Sequence, residues 1–120
     1  MNWKNVKKID AHIHILPEEK RLEFIKYQGE ECTWAKADIE TYINLMDEYN
    51  IDKAILQPTN DMYMYYPARK TNEFHAEIIK KYPDKFLAFA DINANGSYIM
   101  DEAPYELEYA IKELGLVVLG

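Results

Sequence analysis

Residues 9–17 read IDAHIHILP, a stretch in which apolar and polar side chains alternate. Asp10, His12 and His14 occupy even-numbered positions, and the isoleucines at 9, 13 and 15 occupy odd-numbered ones. Because successive side chains of a strand point to opposite faces, this alternation predicts a β-strand with one polar and one apolar face. Pro17 lacks the N–H group that a sheet requires, so we expect the strand to end there.

The rest of the chain alternates between helical and strand-like patterns. Residues 17–36 have no clean period and contain Gly29, which predicts a long loop with a helical turn. Further along, the patterns predict helices at 38–50, 71–82 and 104–114 and strands at 54–56, 86–92 and 116–119. The order β-α-β-α-β-α-β predicts an α/β fold with a parallel sheet and right-handed crossovers, built as one domain over residues 1–120.

The length of the chain limits what such a fold can be. Its 120 residues suffice for a single domain with a buried core. A closed eightfold α/β barrel, by contrast, needs about 250 residues. If the chain has the strand and helix order of such a barrel, we therefore expect it to form half of the barrel.

Charge, cysteine content and hydropathy narrow the class of protein. Fourteen basic and 21 acidic residues give a formal net charge of −7, which argues against binding to nucleic acid or to an anionic membrane surface. The N-terminus lacks the apolar segment of a signal peptide, and no apolar run approaches the ~18 residues of a membrane span. A single cysteine, Cys32, excludes an internal disulfide. We therefore expect a cytoplasmic protein.

The candidate functional residues, His12 and His14, lie at the end of the first predicted strand. His12 and His14 are two residues apart, so their side chains should share a face with Cα atoms roughly 6.5 Å apart, close enough to bind one metal ion. Asp10 is expected on the same face, where it could accept a ring N–H and set the tautomer. The pattern predicts a divalent metal site, with zinc as first candidate and iron, nickel and copper also suited to imidazole.

Two histidines do not complete a catalytic zinc site, which uses three protein ligands and an open position. The remaining histidine, His75, falls early in a predicted helix and is expected to be solvated or half-buried, with no metal role. A third ligand would have to come from a carboxylate or from outside this chain.

Three segments of the chain resemble the amidohydrolase-related family, a group of metal-dependent TIM-barrel hydrolases and decarboxylases that includes aminocarboxymuconate-semialdehyde decarboxylase. They are IDAHIHILP at 9–17, KYPDKFLAFADINA at 81–94 and ELEYAIKELGL at 106–116. The resemblance implies the N-terminal half of a TIM (β/α)8 barrel, with His12 and His14 as metal ligands. It also implies that the remaining ligands and the catalytic histidine belong to strands five, six and eight, beyond this chain.

The same resemblance implies a function. Family members use the metal to activate water for hydrolysis of a C–N or C–O bond in a small molecule, or to polarise a substrate that loses a carboxyl group. Gln57, Asn60 and Arg69 would lie in the loops that line the substrate pocket, with Arg69 placed to bind a carboxylate. The aromatic residues of these loops either form a pocket wall or pack at a barrel rim or subunit contact; they are Phe24, Tyr27, Trp34, Tyr63, Tyr65 and Tyr66.

Other interpretations fit parts of the pattern. His12-x-His14-x-x-x-Glu18 matches the metal set of cupins, but cupins are all-β and their motif is flanked by glycines, whereas this chain has four glycines in all. Histidine-triad hydrolases need a third alternating histidine where Leu16 stands. Polymerase-and-histidinol-phosphatase domains share the D-x-H-x-H motif, yet usually follow it with a serine and Asp-Gly.

A non-catalytic interpretation also remains open. The chain could be an inactive half-barrel, either a truncated product or a module that pairs with a second copy or with a missing C-terminal half. On this interpretation the chain alone would show little or no hydrolase activity.

Overall fold

The computed structural model describes residues 2–31, 38–59, 67–92 and 102–117. After a short 3₁₀ turn, the helices and strands follow in the order β1 (Lys8–Ile13), α1 (Glu18–Gln28), α2 (Ile39–Tyr49), β2 (Ile51–Leu56), α3 (Ala68–Lys81), β3 (Phe86–Ala88) and α4 (Ala103–Lys112). The strands form a parallel sheet in the order β1-β2-β3. The predicted α/β alternation is thus confirmed. Within the described ranges, every helix is too short or too polar to cross a membrane.

The region of the fourth predicted strand contributes a single bridge in the described part of the chain. Phe89 and Val117 form a parallel bridge. The Ala90 N–H donates to the Val117 carbonyl and the Val117 N–H to the Ala88 carbonyl, each at 2.9 Å. Residues 118–120 lie outside the described part of the chain, so the structure shows this bridge and its hydrogen bonds but not the extent of a strand.

Helix α2 has the ends that its sequence predicts. The Asp38 carboxylate accepts a 2.7 Å hydrogen bond from the Thr41 N–H, which caps the first turn and lowers the pKa of Asp38. Asn50 ends the helix in the left-handed region with φ 54°, a conformation that asparagine tolerates better than most residues.

Helix α1 corrects the prediction of a long loop after the first strand. It has 11 residues, with Glu18 and Glu19 in its first turn, where negative charge is favourable. Phe24 is its one buried residue and packs with Leu16 and Ile25 in a small cluster apart from the main core. The apolar periodicity that reveals most helices is therefore nearly absent here.

Other boundaries differ by a few residues from the predicted ones. Strand β2 begins at Ile51 rather than at residue 54, and α3 begins at Ala68 rather than at 71 or 72. Strand β3 ends at Ala88, four residues before the predicted 92. The predictions followed the apolar residues, whereas backbone hydrogen bonding sets the true ends of an element.

The core lies on one face of the sheet. Buried side chains of β2 and β3 pack there against buried side chains of α2, α3 and α4, a set that includes Ala54, Leu56, Phe86, Ala88, Met46, Ile78 and Ala110. On the opposite face Ile55 pairs with Leu87, whose side chain is 46% exposed. The connecting helices therefore cover one face and leave the other open, as on the inner wall of a barrel.

Candidate metal centre

His12 and His14 lie at the carboxyl end of β1 and point away from the core. Ile13 and Ile15, which alternate with them, are buried in that core, so the two imidazoles project from the open face. The Nε2 atoms of His12 and His14 are 2.9 Å apart, and the rings stand nearly perpendicular with centres 4.7 Å apart. The structure thus brings the two predicted ligands together.

The other ring nitrogen of His14 contacts the end of β2. Its Nδ1 lies 3.0 Å from the Gln57 carbonyl oxygen and 2.6 Å from the Thr59 hydroxyl. A carbonyl oxygen can only accept, so the hydrogen of His14 belongs on Nδ1. The Nε2 atom that faces His12 then carries a free lone pair, the form that a metal ion binds.

The donor set fits a metal ion in part. Metal–imidazole bonds are about 2.0–2.1 Å long, so two nitrogens 2.9 Å apart can contact the same ion. Among the described residues, however, no group of three or more His, Cys, Asp or Glu side chains could hold a metal. The pair alone is therefore fewer than the three protein ligands of a catalytic zinc site.

Asp10 does not occupy its predicted place. Between Asp10 and Ile13, strand β1 advances three residues while β2 advances two, from Ala54 to Leu56. This irregularity turns Asp10 to the same side as Ile13 and the core, because one extra residue reverses the alternation. The predicted hydrogen bond from a histidine ring to Asp10 is therefore not formed.

Asp10 acts on the backbone of β1 instead. Its Oδ1 accepts a 3.2 Å hydrogen bond from the His12 N–H, and its Oδ2 accepts a 2.7 Å hydrogen bond from the Tyr42 hydroxyl of α2. Burial, and then the neighbouring carboxylate, raise the pKa of Tyr42, so this hydroxyl stays protonated as a donor. Asp10 thus holds the backbone of His12 rather than a histidine ring.

Gln57 lies beside the histidine pair, whereas Arg69 is engaged elsewhere. The Gln57 side chain donates to the Ala11 carbonyl at 3.3 Å. Arg69 Nε donates to Glu106 at 2.7 Å, which raises the pKa of its guanidinium. Its guanidinium carbon lies 3.6 Å from the centre of the Tyr109 ring. Arg69 is therefore held against α4, and its predicted carboxylate-binding role has no support from these contacts.

The remaining pocket candidates divide into two groups. Phe24 is buried in its own cluster with Leu16 and Ile25, whereas Tyr27 is 76% exposed. The rest lie outside the described residues; they are Trp34, Asn60, Tyr63, Tyr65 and Tyr66.

His75 corrects the prediction of a solvated or half-buried residue, because it is 1% exposed. Its Nδ1 has no hydrogen-bond partner among the described residues, so its hydrogen bond to the Ile15 backbone comes from the other ring nitrogen. Burial lowers the pKa of His75 to about 4, against the opposing effect of the Ile15 hydrogen bond. The spacing of His75 from buried Thr71 and Ile78 is the signal that could have revealed it.

Asn72 and Thr59 are two further residues that the sequence did not reveal. Asn72 is fully buried and bonds both backbone groups of Asp91, with its Oδ1 2.7 Å from the N–H and its Nδ2 2.9 Å from the carbonyl. This pairing joins α3 to the chain that follows β3. Thr59 lies in an irregular segment after β2, where no periodicity indicates which side chains approach the site.

Comparisons with known proteins place this geometry in context. No family model matches the sequence, and no curated protein matches it. Among solved structures, a Staphylococcus aureus protein assigned as an amidohydrolase is similar with a TM-score of 0.65 and 22% identity, over 92% of this chain and 35% of that one. A dihydroxybenzoic acid decarboxylase from Polaromonas sp. JS666, solved with manganese and 2-nitroresorcinol, is similar with a TM-score of 0.67 and 26% identity. The similarity covers 93% of this chain and 37% of the decarboxylase.

A third solved structure, 2,6-dihydroxybenzoate decarboxylase in complex with 2,6-dihydroxybenzoate, has a TM-score of 0.68 and 25% identity, over 93% of this chain and 38% of that one. The structural neighbours thus include a protein assigned as an amidohydrolase and, with a TM-score of 0.62 and 22% identity, a TIM-barrel protein from Bordetella bronchiseptica. This chain has the fold of the N-terminal half of such a barrel and spans 35–38% of the length of the first three of these proteins.

Proposed function

We propose that the chain is the metal-binding N-terminal part of a metal-dependent enzyme of the amidohydrolase superfamily. The observation that carries this proposal is the 2.9 Å approach of the His12 and His14 Nε2 atoms at the carboxyl end of β1. Active sites of parallel α/β barrels lie at this end of the strands. His12 and His14 would bind the ion, and the Gln57 carbonyl with Thr59 would orient His14.

When bound, a divalent ion would supply a water of lowered pKa for hydrolysis or would polarise the carboxyl group of a substrate. Imidazole nitrogens suit several divalent metals. Zinc is the first candidate from the sequence pattern, and manganese is the ion bound in the Polaromonas neighbour. These two ions are the first to test.

For the reaction, we propose decarboxylation of a hydroxylated aromatic acid ahead of hydrolysis of a C–N or C–O bond. Two of the similar solved structures are dihydroxybenzoate decarboxylases with identities of 26% and 25%. The substrate is therefore a small molecule. We also propose a cytoplasmic location, because one cysteine in 120 residues suits a reducing compartment.

The test is calorimetric titration of the metal-free protein with Zn²⁺ and Mn²⁺. We expect His12→Ala and His14→Ala to weaken binding at least tenfold, while His75→Gln, which changes a histidine outside the pair, leaves it unchanged. Unaltered affinity in both alanine variants would refute the proposed site. Release of CO₂ from 2,6-dihydroxybenzoate by a complete metal-loaded barrel that contains this chain, lost in its His12→Ala variant, would establish the reaction.

A second candidate function is an interaction module without activity of its own. The open face of the sheet carries Ile9, which is 65% exposed, and Leu87, which is 46% exposed, and such apolar surface favours association. Metal binding without turnover, together with a mass in light scattering that rises with concentration, would favour this candidate. Polar substitution of both residues, Ile9→Thr and Leu87→Thr, should then restore a monomer.

A further inference from the structure

We propose that Thr59 and the Gln57 carbonyl form a two-acceptor cradle that orients the His14 ring and leaves its Nε2 atom available to a metal ion. This inference deepens the proposed function and depends on it for its metal-binding consequence. Its structural basis, the contacts of the His14 Nδ1 atom with residues after β2, stands apart from any bound ion.

The position of the cradle is set by β1 itself. The Gln57 N–H donates to the Ile13 carbonyl at 2.8 Å, and the Gln57 side-chain amide donates to the Ala11 carbonyl at 3.3 Å. These bonds tie the residue that accepts from His14 to the strand that carries His14. The Gln57 carbonyl therefore has a fixed position relative to the imidazole, 3.0 Å from Nδ1.

The carbonyl decides which ring nitrogen of His14 carries hydrogen. If Nδ1 were unprotonated, its lone pair would face the lone pairs of the Gln57 oxygen, an arrangement without a hydrogen bond. A hydroxyl can donate or accept, so Thr59 alone would permit either tautomer. With the carbonyl present, the Thr59 oxygen 2.6 Å away becomes the second acceptor of the same N–H.

The two imidazoles differ in how they are held. The Nδ1 atom of His14 has two acceptors after β2, at 3.0 and 2.6 Å. In the described part of the chain, the ring of His12 contacts His14, and it is the backbone of His12 that is bonded, to Asp10. Thr59 is therefore a positioning residue for His14 and not for His12.

The substitution that tests the cradle is Thr59→Val, which keeps the shape and removes the hydroxyl, with Thr59→Ser as the matched control that keeps it. We expect Thr59→Val to weaken Zn²⁺ and Mn²⁺ binding about 10–100-fold, the usual effect of removing a group that orients a ligating histidine. Thr59→Ser should remain within about threefold of the unchanged protein. Urea unfolding should show that both variants are folded.

Nitrogen-15 NMR of the histidine side chains gives a readout that a merely structural role of Thr59 would not move. We expect hydrogen on Nδ1 of His14 in the unchanged protein and in both variants, because the Gln57 carbonyl remains. The chemical shift of this N–H should change in Thr59→Val, where one of its two acceptors is lost, and stay nearly the same in Thr59→Ser. Hydrogen on Nε2 of His14 in the unchanged protein would overturn the proposal, as would metal affinity unaltered by Thr59→Val. If no variant binds metal, the proposed function fails, and the tautomers alone decide this inference.

Discussion

The Tyr42 hydroxyl donates a 2.7 Å hydrogen bond to Oδ2 of Asp10, which joins helix α2 to strand β1. The other oxygen of the same carboxylate accepts the His12 N–H at 3.2 Å. A helix on the outer face of the sheet is thereby connected to the backbone of a metal-ligand candidate on the inner face. Both residues are half-buried, so the loss of either partner exposes little of the other to water.

The first prediction concerns this connection. Tyr42→Phe removes the hydroxyl and leaves a half-buried carboxylate oxygen without its donor, which should lower the free energy of unfolding by about 1–3 kcal/mol. Urea unfolding at neutral pH measures the change. Asp10→Asn is the matched variant, because its amide oxygen can still accept one of the two hydrogen bonds. In a double-mutant cycle the two losses should not add, and strict additivity would show that the pair is not coupled.

The second prediction is a pH dependence due to His75. Burial lowers its pKa from 6.5 to about 4 in the folded chain, so between these values the unfolded chain binds more protons. The free energy of unfolding is therefore not reduced by His75 above pH 6.5. It declines as the pH falls from 6.5 towards 4, by about 3 kcal/mol in total.

His75→Gln isolates this effect, since glutamine can donate to the Ile15 carbonyl but does not titrate. Unfolding free energies of the metal-free protein at pH 7, 5.5 and 4.5 should fall less steeply in His75→Gln than in the unchanged chain. Parallel slopes would contradict the assignment. His75→Leu, which lacks the donor, should lower stability at pH 7 as well.

The third prediction concerns Asn72. Asn72→Ala leaves the N–H and carbonyl of Asp91 without the hydrogen bonds they make at 2.7 and 2.9 Å, at a cost of about 3 kcal/mol. Hydrogen exchange of the Asp91 amide should accelerate in parallel.

Arg69→Ala is the control from the same helix. Its ion pair with Glu106 is 45% exposed on the arginine side, so its loss should cost at most about 1 kcal/mol. Equal effects of the two substitutions would contradict the structural role of Asn72.

The fourth prediction concerns the end of α2. Asn50 has φ 54°, and its carbonyl accepts the Lys8 N–H at 3.2 Å where β1 begins. Asn50→Ala should lower thermal stability by about 1 kcal/mol because alanine tolerates positive φ poorly, while Asn50→Gly should be nearly neutral. Thermal unfolding followed by circular dichroism distinguishes the two. Equal melting temperatures for the alanine and glycine variants would contradict the role of the left-handed conformation.

Much of the fold could be predicted because its signals are local. The Asp38 cap, the left-handed residue at Asn50 and the apolar runs of β2 and β3 each depend on neighbours within a few positions. Helix α1 was missed because one buried residue, Phe24, gives no periodicity. The alternation around His12 and His14 likewise sufficed to place both imidazoles on one face, since a strand repeats every two residues.

Apart from α1, the sequence by itself determined the order of strands and helices, and it determined the pairing of His12 with His14, because hydrophobic period and two-residue spacing act along the chain. Only the tertiary structure decided that Asp10 faces α2, since the irregular register between β1 and β2 reverses its side. Only packing buried His75 beneath Ile15 and brought Thr59 to His14. These contacts join residues 45 to 60 positions apart, and such distances are set by how the helices and strands pack rather than by any local pattern.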